Sequence, residues 1–287
     1  MKQAQELKRA LVLGSGTMGN GIAQVLAMSG LETRLYDISD DALAKATATI
    51  TKNLDKGVAK GKVEASVRDE ALGRLSTGTD LEAALEGIDV AIEAVPEKLE
   101  LKRSLFETMG NACGPDVLLA TNTSSLPITK IAEAAKHPER VTGMHFFNPV
   151  HIMKLVEVVR TSHSSPEAVA STLDLARRMG KDPIDVKDSP GFASSRLGLV
   201  IGLEAMRMVE AGVASAEDID KAMTLGYGFP MGPLKLTDLV GLDVRCSIAE
   251  FLAEEVGEHF RPPAILRDKV AKGELGKKSG KGFYDWA

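Results

Sequence analysis

The feature that most constrains this chain is a stretch of roughly thirty residues near its start. Ala10–Leu13 is a short apolar strand, followed at once by Gly14-Ser15-Gly16-Thr17-Met18-Gly19. A helical pattern then carries Ile22, Val25, Leu26 and Met28 to Gly30, and a second strand, Thr33–Tyr36, ends in Asp37. Strand, G-x-G-x-x-G, helix, strand and acidic residue in that order describe a dinucleotide-binding unit of a parallel α/β sheet. Each part has a physical task. Gly14 permits the tight turn, Gly16 lets the backbone approach a pyrophosphate, and Gly19 lets the helix pack closely on the sheet. The free N–H groups at the helix N-terminus, where Ser15, Thr17 and Met18 stand among the glycines, then face the phosphates. Asp37 is placed to accept hydrogen bonds from a ribose 2′-hydroxyl and to repel a 2′-phosphate, which favours NAD over NADP. Asp37-Ile38-Ser39-Asp40-Asp41 also suits an N-cap for a helix starting near Asp40.

Beyond Asp37 the chain keeps alternating between helix and strand patterns. Residues 40–74 form a long charged helical insertion with Leu43, Ile50, Leu54, Val58, Val63, Val67 and Leu72 as its apolar positions. Its lysines, among them Lys56 and Lys60, make it locally basic: either a solvated face or a receiver for a phosphorylated ligand. Strand candidates come next at Leu75–Thr79, Asp89–Val95, Val117–Thr121 and Val141–Phe146, with helices near Glu97–Asn111 and Pro127–Ala135. The expected fold is α/β: a Rossmann-like doubly wound sheet with ligands at the carboxyl ends of its strands. Those ends carry Glu97, Asn122-Thr123-Ser124-Ser125, and His145 through Asn148. The Asn-Thr-Ser-Ser run is equally a good helix N-cap.

Pro166–Gly180 has the capping pattern of a helix, and Pro183–Lys187 that of a last strand. Asp188-Ser189-Pro190-Gly191 marks a boundary between an N-terminal domain, 1–188, and a mainly α-helical one, 189–287. Helices are expected there at Leu197–Glu210, Ala216–Thr224, Asp238–Val256 and Pro263–Lys272. Leu199, Val200, Leu203, Met206, Met208 and Val209 exceed what one helix face needs, so that helix is expected to be buried all round, in a subunit contact or a tight monomer core. The basic, aromatic tail from Gly276 to Trp286 is either solvated or phosphate-seeking.

The sharpest chemical signal is a pair. His145 ends the apolar run Val141–Met144, and twelve residues on Glu157 lies inside a second run, Leu155–Val159, beyond an Asn148-Pro149 turn. A carboxylate flanked by Leu155, Val156, Val158 and Val159 is costly to bury without a partner. An imidazole on the neighbouring strand would supply one, and a histidine held by a carboxylate is a general acid/base pair. A core histidine beside an edge-strand glutamate is the plain alternative.

Composition excludes several classes. A net charge of −5 over 287 residues argues against nucleic acid or an anionic membrane as the main partner. No apolar run approaches the ~20 residues of a membrane span. No targeting segment is visible in MKQAQELKR. Cys113 and Cys246 lack metal spacing and suit reduced thiols, so no metal is expected and the cytoplasm is the expected compartment.

The chain resembles the 3-hydroxyacyl-CoA dehydrogenase family, its 3-hydroxybutyryl-CoA type in particular. GSGTMG at 14–19, TNTSSL at 121–126, GMHFFNPV at 143–150, KLVEVV at 154–159, DSPGF at 188–192, GYGFPMGPLKLTDLVGLD at 226–243 and GKKSGKGFY at 276–284 carry the likeness over essentially the whole length. The resemblance implies an NAD-binding Rossmann domain, a helical domain through which a homodimer forms, and an active site in the cleft between them. It implies His145 as catalytic acid/base, Glu157 as its orienting partner, and Ser124 as the hydrogen-bond donor to the substrate's 3-oxygen. Asn148 would position the nicotinamide and the reacting centre. Asp37 and Glu97 match ribose contacts, Lys102 a further cofactor contact, and Asn122 lies in the same cofactor-facing segment. The lysines of 52–62, Lys56 and Lys60 among them, fall where the CoA moiety is received. One position departs: after Pro190-Gly191-Phe192 the family has two apolar residues and Asn-Arg, whereas here Ala193-Ser194-Ser195-Arg196 occupy those places. Ser195 thus stands at a substrate-contacting asparagine, and a shorter group that cannot offer two donors leaves the acyl pose open. The implied reaction is NAD-dependent oxidation of a (3S)-3-hydroxyacyl-CoA. A dicarboxylic acyl-CoA, a non-CoA hydroxy acid and a catalytically idle NAD-binding protein are the alternatives.

Overall fold

Eight strands make one sheet: β1 (Arg9–Leu13), β2 (Glu32–Tyr36), β3 (Leu75–Gly78), β4 (Val90–Glu93), β5 (Leu118–Thr121), β6 (Val141–Phe146), β7 (Leu155–Arg160) and β8 (Asp182–Lys187). They are ordered β3-β2-β1-β4-β5-β6-β7-β8 in the computed structural model, which describes residues 1–286. All neighbours are parallel except β6 and β7. The central strands are apolar at consecutive positions because both faces are covered. Ala10 and Val12 of β1 pack on one side with Val90 and Ile92 of β4. Leu11 and Leu13 pack on the other with Ala91, Phe106 and Met109. Strand order reverses between β1 and β4, which opens a crevice at the carboxyl ends where G-x-G-x-x-G begins.

The chain divides into two units, one from Met1 to Ser189 and the other beginning at Pro190. The second unit is helical, with Ser194–Glu210, Pro233–Val240, Leu242–Glu255 and Ala264–Ala271 as its main α-helices.

Several local expectations are corrected. The 40–74 region is two helices, Asp40–Ala59 and Ala65–Gly73, because the chain turns at Gly61 with φ +64°. A short helix, Leu81–Leu85, has too few residues to show periodicity; Asp80 caps it through the Ala83 N–H. The helix expected at Asp238–Val256 begins earlier, with Pro233 in its first turn, and breaks at Gly241, whose φ of +106° ends one helix before the next starts. Nor is Ser194–Glu210 buried all round: Leu199, Leu203 and Met206 enter the second unit's core, while Leu197 is 61% exposed. The tail is folded against Asp238, whose carboxylate accepts from the Phe283 and Tyr284 N–H groups and the Trp286 indole. Lys278 and Lys281 already pair with Asp243 and Glu274, which favours the solvated reading of that basic turn.

Candidate active site

The glycine loop fits a dinucleotide. At Gly14, with φ +95°, an added Cβ would lie 2.7 Å from the Ala94 carbonyl oxygen; at Gly19 it would lie 1.7 Å from the Gly14 oxygen. Only glycine lets the loop fold this tightly under the helix Thr17–Met28. At Gly16, by contrast, the space is open, so a phosphate can reach the backbone. The helix begins with no side-chain cap and no acidic residue in its first turn, leaving its N–H groups and positive end to an anion. Ser15, Thr17 and Met18 line the adjoining cavity of about 780 Å³, together with Tyr36, Asp37 and Ile38.

Asp37 does not cap the following helix. Ser39 does, through the Ala42 N–H, and Asp37 Oδ2 instead accepts from the Ser15 N–H at 2.8 Å and the Ser15 hydroxyl at 2.7 Å. Desolvation pushes the Asp37 carboxyl up, but these bonds and one from Ser39 outweigh it and hold the carboxyl below its usual range. A carboxylate kept ionised at the end of β2 suits a ribose diol.

His145 and Glu157 are paired across β6 and β7, with Nδ1 2.7 Å from Oε2. Met144, Phe146, Val156 and Val158 enter the core on one face, so alternation turns both functional side chains to the other. Glu157 is fully buried and lies between β6 and β8, so it is no edge-strand glutamate. Phe147 packs on the imidazole with ring centroids 4.6 Å apart. With Nδ1 held by the carboxylate, proton exchange with a substrate belongs to Nε2.

Ser124 is positioned through its neighbours. Glu97 accepts from the Ser124 N–H at 3.1 Å, from the Ser125 hydroxyl at 3.3 Å, and from the Thr123 hydroxyl. The Asn-Thr-Ser-Ser run therefore ties down a strand end; the short helix Ile128–Ala132 has no side-chain cap. Asn122 likewise braces the site, its Oδ1 accepting the Phe146 N–H at 3.0 Å and so joining the ends of β5 and β6.

Lys102, expected as a further cofactor contact, lies buried among carboxylates. It is 1% exposed, and its ammonium lies 2.6 Å from Glu93 and 3.3 Å from Glu97. Its ammonium thus links Glu93 to Glu97. Glu93 escaped the sequence reading although its signal, a lone carboxylate in the apolar run Val90–Ala94, is the one that flagged Glu157. Thr121 and the Val95 N–H also donate to it, but burial prevails and pushes its carboxyl above the ordinary range.

Asn148, Lys56 and Lys60 come together in a second cavity of about 820 Å³, which Lys62 and His151 also line. Thr17 and Asn20 border both cavities, so the basic one adjoins the glycine loop. Lys181, also missed, anchors the segment after β6 by donating to the Val150 and Met153 carbonyls. Ser195 lies in the second unit, in the first turn of Ser194–Glu210.

The chain is similar to known proteins over nearly its whole length. The family described as 3-hydroxyacyl-CoA dehydrogenase, NAD binding domain, matches residues 9–189, and the corresponding C-terminal domain matches 191–286. A probable 3-hydroxybutyryl-CoA dehydrogenase of Bacillus subtilis is 44% identical over 282 residues, covering 98% of either chain. A 3-hydroxyadipyl-CoA dehydrogenase of Escherichia coli is 46% identical over 279 residues, 96% of this chain and 58% of that one. The crystal structure of (S)-3-hydroxybutyryl-CoA dehydrogenase PaaH1 from Ralstonia eutropha superposes with a TM-score of 0.95 at 39% identity, covering 98% of this chain and 100% of that one.

Proposed function

Because the chain belongs to the 3-hydroxyacyl-CoA dehydrogenase family, we propose that it catalyses the reversible NAD-dependent oxidation of a (3S)-3-hydroxyacyl-CoA to the 3-oxoacyl-CoA. The observation that carries the reading is the His145–Glu157 pair, buried and in register, with His145 near the carboxyl end of β6 in the same sheet as the glycine loop. A bound NAD would supply the hydride acceptor for C3. His145 Nε2 takes the hydroxyl proton, and Glu157 fixes the tautomer and balances the imidazolium. Ser124 donates to the 3-oxygen. In the reverse direction protonated His145 returns the proton to that oxygen.

Asp37 and Glu97 serve the cofactor riboses, and Ser15, Thr17 and Met18 offer backbone N–H groups to its phosphates. Lys56 and Lys60 receive the phosphates of CoA, and Asn148 sits between the two ligands; the shared border of the two cavities supports this division. Short acyl chains are the expected substrates. The decisive assay monitors NADH absorbance with acetoacetyl-CoA. Oxidation of NADH is expected; cofactor binding without turnover would leave an idle NAD-binding protein.

A homodimer forms through the helical unit in this reading. Leu236, Leu239, Val240 and Val244 are each about two-fifths exposed, an apolar surface that a second copy would cover. Light scattering should give twice the chain mass. The protein acts in the cytoplasm; no helix of the described residues is long and apolar enough to cross a membrane, and both cysteines are free thiols.

A further inference from the structure

Three of the five histidines lie against a carboxylate: His137 against Glu139, His145 against Glu157 and His163 against Glu133. His151 lies among cations instead. It is exposed and forms part of the wall of two cavities, the basic one of about 820 Å³ and a smaller one of about 270 Å³. Lys56, Lys60 and Lys62 line the first, and Lys154, Arg178 and Lys181 line the second. Among the described residues no carboxylate lines either one. Asp55, next to Lys56 in the helix Asp40–Ala59, lines a different cavity and pairs with Arg68. In a chain of net charge −5 this is a marked local excess of positive charge, and all of it belongs to the first unit.

The backbone that carries the ring is fixed. Gly21 lets the segment after β6 close on the helix Thr17–Met28, since an added Cβ there would lie 2.8 Å from the buried Val150 side chain. The Pro149 carbonyl accepts from the Ile152 N–H at 3.0 Å and the Met153 N–H at 2.9 Å. Lys181 donates to the Val150 and Met153 carbonyls, Lys154 to that of Gly180, and Arg178 to those of Ala4, Leu7 and Ser29. Neutral carbonyls satisfy these donors without cancelling their charge. Burial first, and then the charges of Lys181 and Lys56, hold the His151 imidazole below its usual range. Near neutral pH the ring is therefore mostly uncharged.

We propose that His151 binds a phosphate of the acyl-CoA and takes up a proton from solvent as that phosphate enters the basic cavity. This deepens the assignment of the cavity to CoA made above and rests on it. An arriving phosphate reverses the local field that keeps the ring neutral. Once protonated, the imidazole donates from both ring nitrogens, and a charge-assisted bond replaces a repulsion. Because binding takes up a proton, affinity falls as pH rises from the value at which the free imidazole titrates toward its value in the complex. The phosphate's own ionisation near about pH 6 acts in the opposite sense, so the informative quantity is the difference between wild type and variant.

The test measures KM for three thioesters from about pH 6 to about pH 7.5, below the range in which Lys181 loses its proton. Acetoacetyl-CoA carries every phosphate, its dephospho analogue lacks the 3′-phosphate, and acetoacetyl-pantetheine carries none. His151→Gln should raise KM for acetoacetyl-CoA roughly fivefold at the acid end and by less at the other. It should leave kcat, Tm and KM for the pantetheine thioester unchanged. His151→Lys, a permanent cation, should match wild type at the acid end and lose the pH dependence. An effect of His151→Gln that persists with the dephospho analogue assigns the ring to the diphosphate; one confined to acetoacetyl-CoA assigns it to the 3′-phosphate. Calorimetric titration with CoA in buffers of different ionisation enthalpy needs no turnover, and there wild type should take up more protons than His151→Gln. Equal proton uptake, or an equal rise in KM for the pantetheine thioester, overturns the proposal while leaving the cavity to CoA. Wild type that binds acetoacetyl-pantetheine as well as acetoacetyl-CoA would remove the cavity's assignment and the proposal with it.

Discussion

His145 and Glu157 stand directly opposite each other in the antiparallel β6–β7 ladder, so their 2.7 Å contact is set by strand register. Slipping either strand by one residue would turn its functional side chain into the apolar core. The pair is therefore preorganised before any ligand arrives. General acid–base catalysis typically contributes roughly 10²–10⁴-fold, and His145→Gln should lower kcat by that order. Glu157→Gln, which keeps the shape but removes the charge that balances the imidazolium, should cost at least tenfold. NADH titration should give nearly wild-type affinity for both. Near-normal turnover in either would refute the pairing.

Lys102 and Glu93 form a buried ion pair, and the same ammonium reaches Glu97. Removing one partner of such a pair leaves an uncompensated buried charge, at a cost of about 3–5 kcal/mol. Lys102→Met should lower stability by that order, and adding Glu93→Gln should restore part of it. Both variants should also raise KM for NADH, because Glu97 loses the ammonium that holds it against Thr123 and Ser124. Denaturant melts and kinetics on the single and double variants check this. Additive losses with no coupling would show that the two residues act separately.

The parts of the fold that were legible in the sequence are those in which a local pattern and the tertiary environment agree. The glycine loop and β6 are examples, since backbone approach and two-sided burial leave few residue choices there. Helix breaks were harder: nothing local distinguishes Gly241, which ends a helix, from Gly202, which sits inside one. The site was legible at His145 and Glu157 because charge in an apolar strand is conspicuous. Lys102 and Arg245 were opaque for the opposite reason. A lysine or arginine on a helix is ordinarily solvated, and only packing reveals that these two are buried.

Asp37 joins the glycine loop to the end of β2, so its loss should have two effects. Asp37→Ala removes the group that would repel a 2′-phosphate, and the ratio of kcat/KM for NAD over NADP should fall. It also deprives the buried Ser15 N–H of its acceptor, a loss of about 1–3 kcal/mol. Because hydrogen bonds hold its carboxyl below the ordinary value, Asp37 contributes stability above about pH 4 that is lost as pH falls through the folded value. The variant should lack that part of the acid transition. An unchanged cofactor ratio would reduce Asp37 to a structural brace.

Lys181 gives a prediction in the alkaline range. Its ammonium anchors the segment after β6, which carries Asn148, but burial and the neighbouring Lys154 pull its pKa down to about 8. In the unfolded chain the amine titrates near 10.4. Between these values the unfolded state binds more protons than the folded one, so this group makes stability rise with pH. Below about pH 8 both states are protonated and the cost of burying the charge is fully present. As the pH climbs toward the unfolded value that cost is relieved, and the neutral amine can still donate to the Met153 carbonyl. Other groups titrate in this range, so the informative quantity is the difference in Tm between wild type and Lys181→Met. That difference should grow in favour of wild type from pH 8 upward and level off beyond the unfolded pKa. A difference that stays flat across the interval would mean that the ammonium is already well solvated where it sits.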